Sequence, residues 1–335
     1  MRIPFLTFML IITKCFLVPA QDLHTPAEII KIMEASPVTY ELSTLETSIP
    51  PKDRSDNLNY NDFYRISDGN EISTYKYKPD SGVKACMSAA EMYFEKNKHS
   101  LARDMYLHAL ELDSSYFMAM TYVGQTYGIQ GDFEKASEWY LKTINLNYID
   151  YMAHWFLADC YKKLGKNELA VNEITIAHIL NRNNPRLLKS LQEIYKINKL
   201  EFHDWPFNPQ YKIDSLDVNK VRIAFETEWL GYALVKALWQ YEPGYSESMG
   251  VEAGSFSTLE YKECLLAVMS SFDKKKIKNH PEFKAMQLAL DKKMITEFIL
   301  YEIVLPDHPF VAYQLSEQSI KDIKDYVILA RGNQK

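Results

Sequence analysis

The side chains able to do chemistry are spread along the chain, and their spacing is the first place a function would show. The eight histidines are scattered, with no HExxH and no pair at metal-ligand spacing. His203-Asp204 and Asp307-His308 are adjacent pairs, but neighbours in sequence need not face one another, so neither is a proton-transfer site by itself. Glu226 and Glu228 flank Thr227 at the end of the β-prone run KVRIAFE, residues 220–226. On a persisting strand they share a face, where paired carboxylates could exchange a proton or hold a cation; a solvated edge is the plainer expectation. The segment GYSESMG, residues 244–250, lacks the Gly-x-Ser-x-Gly order and follows a helix, so it is expected to be a loop. Ser271 with Lys274 and Ser81 with Lys84 make the loose S-x-x-K pattern, and no glycine-rich phosphate loop is present. No catalytic residue, cofactor or metal site is expected from these patterns.

Composition narrows the classes further. The 335 residues carry a formal net charge of −6 and are 47% hydrophobic, enough apolar side chain to bury a sizeable core and enough chain for two domains. A nucleic-acid binder is not indicated, because the balance is acidic and no basic stripe is interleaved with aromatics. The densest basic run, Asp273-Lys274-Lys275-Lys276, is expected to be a solvated helix end.

Residues 1–20 have the form of a secretory signal: Arg2 at the start, an apolar stretch over 3–12 resuming at Phe16, and small residues Val18 and Ala20 before Gln21. Lys14 interrupts the stretch, and neither piece reaches the ~20 apolar residues that span a bilayer. Export to a periplasmic or extracellular location is therefore expected, with no integral membrane segment after cleavage. Losing Arg2 and Lys14 takes the mature charge from −6 to −8. Cys86, Cys160 and Cys264 remain, odd in number and far apart, which excludes a disulfide framework. They are expected to be small apolar residues on helices.

A repeat of period 34 organises the middle of the chain. Ala90, Gly124 and Ala158 share one phase, as do Tyr93, Tyr127 and Tyr161, then Ala102, Ala136 and Ala170, then Tyr106, Tyr140 and Ile174, then Leu112, Leu146 and Leu180. The small residues let stacked helices approach, and the tyrosines and leucines fill the space between them. Asn97, Gly131 and Gly165 stand where each hairpin turns, as residue types that tolerate a left-handed backbone.

This pattern resembles the tetratricopeptide repeat, most closely in MTYVGQTYGIQGDFEKASEWYLKTINLN, residues 120–147. In frame the units are 83–116, 117–150 and 151–184, and Pro185 opens a capping helix with Leu188, Leu191 and Tyr195 in register. Cys86, Met120 and His154 replace the usual Trp, and the unit-ending proline is absent at Ser114, Tyr148 and Arg182. The resemblance covers about a third of the chain and implies a superhelical array with a concave groove. In the family, ligand contacts come from the first helix of each unit, which here implies Met87, Glu91, Met118, Thr121, Tyr122, Gln125, Met152, Trp155 and Asp159. The Lys/Asn/Arg clamp of chaperone-tail binders is missing, since Met87, Glu91, Tyr122, Met152 and Phe156 hold its places. A methionine- and aromatic-rich face suits adaptable peptide binding; filling by the protein's own flanks is the competing expectation.

The expected fold class is mainly α, an array over residues 83–199 flanked by a small α+β segment at 21–82 and an α-rich domain with minor β at 200–335. Thr25-Pro26-Ala27-Glu28 reads as a helix start, residues 38–45 as a strand, and Asp68-Gly69 as the turn of a hairpin over residues 63–77. Beyond the linker Trp205-Pro206-Phe207-Asn208-Pro209, a strand is expected at 220–226, helices at 229–241, 258–271, 281–302 and 316–331, and a short strand at 310–314. His154 and His178 are expected to pack or to lie on the surface, and Trp229, Trp239, Tyr241 and Tyr245 to belong to a core. The functional expectation is an exported, non-enzymatic scaffold that binds a protein or peptide segment in the groove, in the periplasm or cell envelope. The alternative is a hydrolase-like enzyme with its site in the C-terminal domain, drawing on Glu226, Glu228, Asp307 and His308, while the repeats recruit substrate.

Overall fold

The structure, a computed structural model, describes residues 23–54, 62–67, 72–252, 254–270 and 280–334. The leader, the Asp68-Gly69 turn, the Asp273–Lys276 run and the Ser271/Lys274 pair lie outside the described residues. The chain divides into two compact units, each made of two separate stretches. Residues 1–48 and 210–271 form one unit, and residues 49–209 and 272–335 form the other. These units cut across the boundaries read at residues 82 and 200, because strand pairing joins segments distant in sequence.

In the first unit, α1 (Pro26–Ala35) starts on the expected capping box. The Thr25 amide donates to Glu28 Oε2 at 2.7 Å, and the Glu28 amide to Thr25 Oγ1 at 3.4 Å. Strand β1 (Thr39–Thr44) follows. A three-stranded sheet of order β1-β6-β5 is completed by β5 (Tyr211–Asp217) and β6 (Lys220–Phe225). β1 runs parallel to β6, Thr39 opposite Lys220, and β5 runs antiparallel to β6, Tyr211 opposite Phe225. Helices Leu230–Tyr241 and Thr258–Ser270 pack beside the sheet, with Gly231 against the Ala267 backbone.

The second unit carries the hairpins. Each first helix, α2 (Ser81–Glu95), α4 (Phe117–Ile129) and α6 (Tyr151–Lys163), pairs with its second, α3 (His99–Leu112), α5 (Phe133–Leu146) and α7 (Asn167–Leu180), before α8 (Pro185–Ile197). Asn97, Gly131 and Gly165 have φ of 57°, 84° and 69°, the left-handed turn expected of them. Gly124 is where a side chain cannot fit, since a Cβ there would lie 2.6 Å from the Tyr140 ring. The core columns Ala90, Ala102, Tyr106, Ala136, Tyr140, Ala158, Ala170 and Ile174 are all buried.

The flanks of this unit depart from expectation in three places. The run Pro309–Gln314 is a 3₁₀ helix, not a strand: Pro309 fixes a helical φ, and neighbours Ala312 and Tyr313 are both buried instead of alternating. The helix Pro281–Asp291 stops at Lys293 (φ 59°), and a new helical run from Ile295 widens into a π-helix over Ile299–Val304. The strand pair β4 (Leu200–Phe202) and β7 (Gly332–Gln334) caps α8, where Phe202 packs edge-on to Tyr195 at 5.5 Å. The expected hairpin forms as β2 (Phe63–Ser67) against β3 (Ile72–Lys76), and Asn147 Nδ2 donates to the Phe63 carbonyl at 3.0 Å.

Candidate binding groove

Each first helix packs against the second helix of its own unit, Gly124 of α4 lying against the Tyr140 ring of α5, and α4 also meets α6. Within this unit, the helix Glu317–Arg331 and the 3₁₀ run pack against α7, and Leu200–Phe202 packs against α8. The flanking segments thus close the last repeat on its second-helix side and at its cap.

The nine residues implied for the inner face fall into two groups. Met118, Tyr122, Gln125, Met152, Trp155 and Asp159 are half-buried, and Glu91 is exposed. Tyr122 stacks on Tyr106 at 5.4 Å and 27°, and burial pushes its hydroxyl up to about 12, so it is a neutral donor at physiological pH. Trp155 stacks on Phe156 at 6.0 Å, and its indole N–H is buried without a hydrogen-bond partner. Asp159 pairs with Lys162 at 2.8 Å, and Met118 Sδ accepts from the Tyr116 hydroxyl at 3.5 Å. The Gln125 side chain, on α4, makes no hydrogen bond among the described residues.

Met87 and Thr121 belong instead to the packed interior. Met87 is 7% exposed and lies in the core between α2, α3 and α4. Thr121 is 2% exposed, and its hydroxyl donates to Asp150 Oδ2 at 2.8 Å. On a helix one residue turns the side chain by about 100°, so Thr121 and Tyr122 cannot both look into the groove.

The isolated chemical groups are also placed. Glu226 follows the last residue of β6, accepts from Ser48 at 2.8 Å, and leads into a 3₁₀ turn at Thr227–Trp229, so the strand-face pairing with Glu228 does not form. Asp307 accepts from Lys52 (3.2 Å) and Arg54 (2.8 Å), which hold its carboxyl below the usual range although burial acts the other way. Glu226 and Glu228 lie in the first unit, Asp307 and His308 in the second. His154 is buried, with Nδ1 2.6 Å from Glu173 and Nε2 3.0 Å from the Tyr148 carbonyl. Trp229 pairs with Tyr232 at 5.8 Å, and Trp239 with Tyr245 at 5.7 Å. Both Trp239 Nε1 (2.7 Å) and the Tyr245 hydroxyl (3.0 Å) donate to the buried Glu263. Nothing in the sequence marked Glu263, whose partners come from other segments.

Residues 83–116 match the family model described as tetratricopeptide repeat. Anaphase-promoting complex subunit 3 of Schizosaccharomyces pombe is 28% identical over 138 residues, 40% of this chain and 20% of that protein. The chain therefore spans about a fifth of that relative's length. Among solved structures, the first such repeat domain of Spaghetti (RPAP3) bound to an HSP90 peptide is 21% identical with a TM-score of 0.34. It covers 36% of this chain and 95% of its own. The Yersinia enterocolitica type III secretion chaperone SycD, in complex with a peptide of the translocator YopD, is 18% identical with a TM-score of 0.33, over 36% of this chain and 96% of its own. Residues 83–199 form a helical-hairpin array of the tetratricopeptide kind, matched to the family over 83–116, with the small-residue columns Ala90/Gly124/Ala158 and Ala102/Ala136/Ala170 buried in phase, three left-handed hairpin turns in place, and Leu112 and Leu146 of the leucine column exposed instead of packed.

Proposed function

We propose that the protein is an interaction scaffold that holds an extended or helical peptide segment of a partner protein along the inner faces of α2, α4 and α6. One observation carries this reading: Trp155, on the first helix of the third unit, stays partly exposed and offers a rigid aromatic surface that a bound segment would cover. Gln125 adds donors and an acceptor one repeat away, and Met118, Tyr122 and Met152 supply apolar contact that adapts to sequence. Glu91 presents an exposed carboxylate, while Asp159 is matched by Lys162, so one basic residue of a partner segment is favoured opposite Glu91.

Export is part of the proposal, on the strength of Arg2, the apolar stretch and the Val18-Pro19-Ala20 end. It places the partner in the periplasm, the cell envelope or outside the cell. Among the described residues no helix is long and apolar enough to cross a membrane.

The test is photocrosslinking in the native cell from a benzophenone amino acid at position 125, comparing otherwise wild-type protein with a Trp155→Ala variant whose circular dichroism melt is unchanged. A discrete adduct that disappears in the variant supports the groove. Adducts identical in both, or none, would move binding elsewhere. Fractionation with N-terminal sequencing tests export: a mature chain starting at Gln21 outside the cytoplasm is expected, and an intact Met1 in the cytoplasmic fraction would sink that part.

A further inference from the structure

A second site lies away from the groove, at the turn between α7 and α8. There Arg182 and Leu188 meet the Trp205-Pro206-Phe207 loop and the segment carrying Lys52 and Arg54, enclosing a cavity of about 260 Å³. Its charge is uneven. Behind the lining residues Glu302 and Trp205, Arg331 is fully matched, with Nε on Glu302 Oε1 at 3.0 Å and Nη2 on Glu302 Oε2. Lys52 and Arg54 share one carboxylate, Asp307. Arg182 has no ion-pair partner among the described residues: its guanidinium lies over the Tyr301 ring at 4.4 Å, and its Nε is buried without an acceptor. Asp204 stands half-open at the rim, 3.9 Å from Arg331. Counted together, Lys52, Arg54, Arg182 and Arg331 exceed Asp204, Glu302 and Asp307 by one positive charge, in a chain whose net charge is −6.

A half-buried guanidinium with an unsatisfied N–H is costly to keep, because its lost hydration is not replaced by a counter-charge. An oxyanion in the cavity that Arg182 lines supplies the missing counter-charge, and arginine's planar fork suits carboxylate and phosphate alike. The rest of the wall mixes the amides of Asn183 and Asn184 with the apolar side chains of Leu188, Trp205 and Phe207, and its volume fits a body of about one ring. We propose that this cavity binds a small organic anion, a carboxylate or phosphomonoester on a flat apolar body, with Arg182 as its main charge partner and Lys52 and Arg54 at the mouth.

Isothermal titration of the full chain with benzoate, phenyl phosphate and uncharged benzyl alcohol tests this. One-to-one binding of at least one anion is expected, ~10- to 100-fold weaker in Arg182→Gln and largely kept in Arg182→Lys, as the loss of a charge-assisted hydrogen bond dictates. Benzyl alcohol should bind far more weakly than either. Which anion binds separates the carboxylate from the phosphate source. If Arg182→Gln does not fold, Lys52→Gln/Arg54→Gln at the mouth gives the same readout. Failure of both anions to saturate at millimolar concentration, equal binding of the alcohol, or undiminished affinity in the folded variants overturns the proposal. Because Trp155 does not line this cavity, loss of groove binding alone leaves these titrations unchanged.

Discussion

Thr121 Oγ1 donates to Asp150 Oδ2 across 2.8 Å, fastening α4 to the start of α6 from inside the array. The same carboxylate caps α6 through Oδ1, accepting from the amides of Met152 (3.0 Å) and Ala153 (3.1 Å). One buried side chain therefore both starts a helix and joins it to the preceding repeat. Thr121→Val keeps the shape and removes the donor, so it is expected to cost ~1–3 kcal/mol of unfolding free energy. Peptide binding in the groove should be unaffected once the protein is folded. Urea titration with a crosslinking assay at 125 checks both halves, and a variant of unchanged stability would show that the hydroxyl contributes nothing.

Gly124 and Gly128 lie one turn apart on α4 and are expected to respond oppositely to alanine. At Gly124 a new Cβ falls 2.6 Å from the buried Tyr140 ring, which has nowhere to move, so Gly124→Ala should destabilise by ~1–3 kcal/mol. At Gly128 the nearest atoms are 3.8 Å away, an ordinary contact. There the gain in helix propensity dominates, and Gly128→Ala should stabilise by up to ~1 kcal/mol. Paired thermal melts decide this. Shifts of the same sign would mean that the two helices do not meet at Gly124 as described.

The array was legible because its signal is redundant: small residues at Ala90, Gly124 and Ala158 and turn residues at Asn97, Gly131 and Gly165 each repeat the same constraint. What the phase left open was the facing of individual side chains. Thr121 and Tyr122 are adjacent, and a polar threonine looks like surface until Asp150, from the next repeat, is seen beneath it. The flanks were legible as single elements, such as the Thr25/Glu28 box and strand β6. The parallel pairing of β1 with β6 was not, because no local pattern records a partner on the far side of the array. Strand β5 was missed for a related reason: its half-exposed, charged alternation reads as linker until β6 pairs with it.

His178 gives the second unit a defined pH dependence. It is buried in α7, with Nδ1 3.0 Å from the Tyr301 hydroxyl and Nε2 without a partner. Burial first, then the positive charges of Arg182 and Arg331, push the imidazole well below its ordinary value. The folded protein keeps the ring neutral while the unfolded chain takes up a proton below about pH 6.5. The unfolded state therefore binds more protons, and stability falls as pH drops through that value. One such histidine contributes a slope of ~1.4 kcal/mol per pH unit. His178→Leu removes this contribution, whatever its own cost, so its stability-against-pH curve from pH 6.5 to 5 should be flatter than wild type by up to that amount. Parallel curves would show that His178 is protonated in the folded state.

Arg331 and Glu302 make the most buried ion pair of the described residues, both side chains having no exposure. The pair is satisfied on every side: Tyr326 donates to Glu302 at 2.9 Å, Arg331 Nη1 donates to the His203 carbonyl at 2.8 Å, and the guanidinium stacks 3.6 Å from the centre of the Trp205 ring. It joins the last helix to the π-helical turn and to the strand pair that caps α8, so the array's end is closed by charge as well as by apolar contact. Removing either partner alone leaves the other buried and uncompensated, and Glu302→Gln or Arg331→Leu should each cost ~3–5 kcal/mol. The double variant should cost less than the two singles together, with a coupling of ~1–3 kcal/mol. Denaturant unfolding of all four proteins measures this coupling directly. A coupling near zero would mean that Arg331 is held by Trp205 and the His203 carbonyl, with Glu302 a bystander, and that the cavity wall beside Arg182 carries more uncompensated positive charge than the ion pair implies.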